Sequence, residues 1–121
     1  MAATLGVTNV DAGKSPEQLC AARLQRALDA TQLRQPDQIP ISLGFGNSLA
    51  DLEGITRQEL AWEPEKAFLA LSHAALRFQP DFASGAQFSS PAVDKILGNR
   101  LRKWPGDGLS ANQSFQFIEG E

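Results

Sequence analysis

The chain has 121 residues, of which 42% are hydrophobic and 21% charged, with 10 glycines and 7 prolines spread along it. That composition supports one folded domain and excludes disorder and low-complexity repeats. A formal charge of -3 and the single Cys20 offer no electrostatic reason to bind nucleic acid and no internal disulfide. No apolar run approaches the roughly 18 residues a membrane span needs, and no basic-then-apolar leader opens the chain, so the expectation is a cytoplasmic protein without a membrane partner.

Residues 1–14 are weakly patterned and read as a loose lead-in to a domain over residues 15–121. Ser15, Pro16 and Gln18 then form a helix start, combining an N-cap, a proline at the first helical position and a capping-box partner. The spacing predicts a helix over 16–32, with Cys20, Leu24, Ala27, Leu28 and Thr31 facing inward and Arg23, Arg26 and Asp29 facing water. Pro36 and Asp37 end it. Alternation of Ile39, Ile41 and Leu43 predicts a strand over 39–43 that turns at Gly44, Phe45, Gly46 and Asn47.

A short helix over 48–53 should close at Gly54, and Thr56 and Glu59 form a capping box that opens another. Pro64 opens a longer helix with Ala67, Leu71, Ala74 and Phe78 on one face, beside Phe68 and Ala75, and Pro80 ends it. Residues 81–85 are expected to form a second short strand. Ser90 and Pro91 repeat the cap-plus-proline device ahead of a helix closed by Gly98. A strand is expected to begin at Leu101. The cluster Trp104, Pro105, Gly106, Asp107 and Gly108 reads as a turn, and residues 115–118 read as extended. This order is α/β, with a helical crossover long enough to join parallel strands.

The chemistry-bearing residues are sparse. His73 reads as a half-exposed helical histidine, and Cys20 as a buried small hydrophobe with no base beside it. Glu59, Glu63 and Glu65 crowd helix starts, where they favour the helix dipole. Arg100, Arg102 and Lys103 beside Trp104 read as a solvated basic turn with an anchoring Trp. No residue is singled out as a catalytic acid, base or nucleophile. Loops at the carboxyl ends of parallel strands are where α/β proteins build sites, so Gly44, Phe45, Gly46 and Asn47, with Ser84 and Gly85, are the candidate lining of a small-molecule pocket.

Several segments in a fixed order resemble a known family. They are Arg23 to Leu28, Pro36 to Ile41, Gly54 to Thr56, Pro64 to Ala67, Phe78 to Asp81, Trp104 to Gly106 and Phe115 to Glu121. Together they resemble the amino-terminal portion of the uroporphyrinogen decarboxylase superfamily, over about residues 20–121. The resemblance implies a (β/α)8 TIM-type barrel, which typically needs ~250 residues. This chain would then carry the leading helix, the first two barrel strands and the connection beyond, and would be inactive by itself.

The family includes uroporphyrinogen decarboxylases, which are lyases acting on a tetrapyrrole, and corrinoid-linked methyltransferases. True decarboxylases carry an arginine-bearing stretch after the first strand and an aspartate shortly after the second. Here residues 44–51 contain no arginine, and residues 84–93 contain no acidic residue. The resemblance therefore favours methyl transfer over decarboxylation, with zinc and a corrinoid protein as the implied cofactor and partner. The family's zinc ligands would lie past Glu121, and no cofactor site is visible within this segment. The alternative is a self-contained small α/β binding or interaction module without catalysis, since 121 residues can bury a core.

Overall fold

The computed structural model describes residues 9–85 and 90–120. They form a mixed α/β arrangement of five helices and two small sheets, and the strands do not close into a barrel. The chain falls into two compact units divided between Ile41 and Ser42.

Helix α1 (Pro16–Thr31) begins as the sequence dictates. The Gln18 amide donates to Ser15 Oγ, the Ser15 amide donates to the Gln18 side chain, and Pro16 fills a position whose N–H would have no helical partner. Its inward face is not the expected one. Cys20, Leu24, Leu28 and Thr31 are exposed, whereas Arg26 is fully buried. The physical reason is an ionic clamp: Arg26 Nε donates to Asp37 Oδ1 at 2.7 Å and its Nη2 donates to Asp11 Oδ1 at 2.9 Å. Burial of a guanidinium requires such partners, and apolar periodicity does not register them.

Residues 1–8 of the expected lead-in lie outside the described residues. The rest of it is ordered by local turns, with the Ala12 amide on the Asn9 carbonyl at 3.1 Å and Asp11 held on Arg26.

Strand β1 (Ser42–Gly44) starts later than predicted, and Ile39 and Ile41 are exposed. Pro40 has no N–H to donate, and the partner strand β2 (Phe82–Ser84) is itself only three residues long. The two run parallel, with Ser42 opposite Phe82, Leu43 opposite Ala83 and Gly44 opposite Ser84.

Between them lie α2 (Ser48–Glu53), α3 (Arg57–Trp62) and α4 (Pro64–Phe78). Gly54 closes α2 at φ 68°, a left-handed conformation that glycine adopts without steric cost. Leu49 and Ala50 of α2, Leu60 of α3, and Ala70 and Ala74 of α4 make the buried core, with Phe45, Ile55, Ala67 and Leu71 packed against it. Small residues on α4 let the short helices approach closely. Phe68 faces outward and Phe78 is half exposed, so the apolar face of α4 is narrower than its sequence pattern suggests.

Helix α5 (Pro91–Ile96) is capped by Ser90 Oγ, which accepts from the Val93 amide. The predicted turn cluster divides in two. Trp104 and Pro105 end strand β3 (Arg102–Pro105), and the chain then loops tightly into β4 (Gly108–Leu109), which pairs parallel with β3. The Asp107 amide donates to the Trp104 carbonyl at 2.9 Å across that loop. β3 also pairs antiparallel with β5 (Gln116–Phe117).

Candidate functional site

The loop after β1 and the end of β2 meet, as their strand-end positions require. The Phe45 amide donates to the Ser84 carbonyl at 3.4 Å, extending the parallel ladder by one bond. A Cβ on Gly44 would stand 3.2 Å from Ser84 Oγ, a tight contact to which the Ser84 side chain would have to yield. Gly46 has φ 54° and turns the chain into α2.

The four loop residues then diverge. Phe45 packs on the core and stacks on Phe78 with ring centroids 5.8 Å apart. Its carbonyl accepts from Ser48 Oγ. Asn47 is the N-cap residue of α2 without a side-chain cap bond; instead its Nδ2 donates to Ser114 Oγ at 3.0 Å. Gly85 lies beside Leu71.

An open cleft of about 480 Å³ lies at the far end of α2, lined by Asp51, Gly54, Ile55, Arg57 and Asn112 together with Ala50. Its two sides are fastened to each other. The Gln58 amide donates to the Ala111 carbonyl at 2.9 Å, and Arg57 Nη1 donates to Ser114 Oγ at 3.1 Å. Ser114 thus accepts from both Asn47 and Arg57, linking the strand-end loop to the cleft. Sequence reasoning passed over Arg57, Asn112 and Ser114. A usable signal was present in Ser110 and Gln113, which close a tight turn: the Gln113 amide donates to the Ser110 carbonyl and the Ser110 amide to the Gln113 side-chain oxygen.

The remaining reactive side chains have structural partners. His73 is exposed, with Nδ1 3.0 Å from Glu53 Oε2. Cys20 is exposed rather than buried, since it sits on the outward face of α1. Glu59 caps α3 by accepting from the Thr56 amide at 2.8 Å, and Lys66 Nζ lies 2.5 Å from its other oxygen. The Lys66 ammonium, then the Thr56 amide and hydroxyl, hold the Glu59 carboxyl down at about 2.

In the basic cluster Arg100 and Lys103 are exposed, as expected of a solvated turn, whereas Arg102 is drawn inward. Trp104 is buried and donates from Nε1 to Asp94 Oδ2 at 2.9 Å. Arg102 pairs with Asp94 Oδ1 at 3.1 Å and lies over the Trp104 ring at 5.2 Å. Asn99 Nδ2 also donates to Asp94. Asp94 is therefore a buried carboxylate whose partners include Asn99, Arg102 and Trp104.

Among the described residues no group of three His, Cys, Asp or Glu side chains is placed to hold a metal ion, so the zinc implied by the resemblance has no fitting donor set there. No described helix is long and apolar enough to cross a membrane. No family model, no curated protein and no solved structure matches the chain.

Proposed function

We propose that the chain is the amino-terminal part of a uroporphyrinogen decarboxylase-like enzyme with tetrapyrrole- or corrinoid-linked chemistry, methyl transfer being favoured over decarboxylation. The observation that carries the reading is the parallel pairing of β1 with β2 around a helical crossover, Gly44 opposite Ser84 at the shared carboxyl ends. Two adjacent parallel strands joined through helices are how a barrel of this class begins. The edges of a two-stranded parallel pair need covering, and parallel sheets are ordinarily buried on both faces. In line with that need, Leu69, Leu76, Ile96 and Leu97 are each more than half exposed.

In this reading the backbone of Gly44 to Asn47 and of Ser84 to Gly85 forms part of the pocket floor, and no residue described here acts on a substrate as acid, base or nucleophile. Zinc, when bound in the complete enzyme, would activate the methyl acceptor; no step is assigned to it through the residues of this segment.

The test is the complete reading frame. Further strand–helix units and a His and Cys cluster past Glu121 are expected; their absence sinks the reading. With the complete protein, methyl transfer to or from a corrinoid, followed by the absorbance of the cobalt centre, should be detectable. Asn47→Ala should weaken ligand binding by about 3- to 10-fold, because the strand-end loop is no longer held on Ser114, and should lower the melting transition only slightly without unfolding the chain. Unchanged affinity removes Asn47 from the site.

The second reading, a self-contained α/β binding module, has its support in the closed core of Leu49, Ala50, Leu60, Ala70 and Ala74. A sharp cooperative melt of a monomer that binds no hydrophobic dye would favour it.

A further inference from the structure

The cleft bounded by Asp51, Gly54, Ile55, Arg57 and Asn112 is independent of the barrel reading and has a chemistry of its own. Its volume of about 480 Å³ is within the range of small-molecule sites. Its shape is held by bonds from Gln58 and Arg57 to Ala111 and Ser114, on the segment that carries the lining residue Asn112.

Arg57 is the cationic group of this cleft. Its Nη1 donates to Ser114 Oγ at 3.1 Å, which anchors the guanidinium at that nitrogen. The nearest carboxylate, Asp51 Oδ2, stands 3.9 Å from Nη2, beyond hydrogen-bond reach, on a side chain 73% exposed. A positioned guanidinium with unused N–H donors, facing a concave space, is suited to a planar oxyanion.

We propose that this cleft binds a small monocarboxylate with a short aliphatic body, its carboxylate paired with the Arg57 guanidinium. The half-buried Ile55 supplies an apolar wall for the body of the ligand. Asp51 at the mouth sets the charge limit: a second negative charge on the ligand would meet it, so a phosphate dianion is disfavoured relative to a carboxylate.

The test is a titration of the full chain with butyrate, read from backbone amide shifts, with butyramide and inorganic phosphate as comparison ligands. Saturable shifts at Gly54, Ile55 and Arg57 are expected with butyrate, and affinity for neutral butyramide should be at least about tenfold lower. Arg57→Gln should lower butyrate affinity about tenfold, whereas Asp51→Asn should raise it by about threefold and narrow the gap to phosphate. Linear, unsaturated shifts with butyrate overturn the proposal. So do equal binding of butyramide, tighter binding of phosphate, or an Asp51→Asn variant that binds butyrate more weakly. The Asp51→Asn arm decides the matter even if Arg57→Gln fails to fold.

Discussion

The unit that ends at Ile41 and the unit that begins at Ser42 enclose different kinds of side chain. Among the described residues of the first, the fully buried one is a cation, Arg26, met by the carboxylates of Asp11 and Asp37. In the second, the enclosed residues are Leu49, Ala50, Leu60, Ala70 and Ala74, with charge admitted at Asp94 and its partners. Apolar burial is non-directional, contributes about 25 cal/mol per Å² and is indifferent to protonation. An ionic clamp is directional, depends on the state of its carboxylates and is costly to break from one side. The two units should therefore fail under different insults.

The largest effect is expected where the second unit combines both devices. Trp104→Ala removes a buried indole that packs on Phe115 at 5.2 Å and takes away a donor from Asp94. A loss of about 4 kcal/mol is expected in denaturant unfolding followed at the amides of residues 42–120. Trp104→Phe keeps the ring contact but removes the indole hydrogen bond to the buried Asp94, and should cost about 1–3 kcal/mol. Equal losses for the two variants would mean that the unit rests on Asp94 rather than on ring packing.

Arg26→Met should follow. It leaves Asp11 and Asp37 without their guanidinium, though Asp37 is 46% exposed and partly hydrated, so about 2–3 kcal/mol is expected, at the lower limit for a fully buried pair. Hydrogen exchange at the α1 amides reads it directly. Arg26→Lys retains the charge but not the fork that spans both carboxylates, and should fall between. A silent Arg26→Met would erase the contrast between the units.

What the residues announced in advance follows the same division. Helix starts at Ser15, Thr56 and Ser90 were legible because each cap is a local exchange of hydrogen bonds within four residues. The inward face of α1 was not, since its decisive contacts reach 11 and 15 residues away, from Arg26 to Asp37 and to Asp11. Trp104 was legible as an anchor of the turn cluster, but its place at the end of β3 and its partners Asp94 and Phe115 were not, because neither is close in sequence. Of the candidate site, the meeting of Gly44 with Ser84 followed from the strand-end argument. The Arg57 cleft did not, because it is assembled by bonds from Gln58 to Ala111 and from Arg57 to Ser114.

The smallest expected effect is the one most specific to the first unit. The Asp37 carboxyl is held down at about 2, first by its hydrogen bonds from Arg26, and Asp11 is lowered chiefly by the same guanidinium. Both groups are depressed in the folded chain. Their contribution is therefore complete above the ordinary aspartate value of about 3.8 and is lost as pH falls from there through about 2. With solvent screening at Asp37 it amounts to about 1 kcal/mol. The carboxyl carbon shift of Asp37 should titrate near 2 in the native chain and return toward 3.8 in Arg26→Met. Glu59 also titrates near 2, but its partners are Lys66 and Thr56, so its midpoint should not move in that variant. A shared response of Asp37 and Glu59 would show that acid acts on the chain as a whole, whereas a response confined to Asp37 keeps the clamp a property of its own unit.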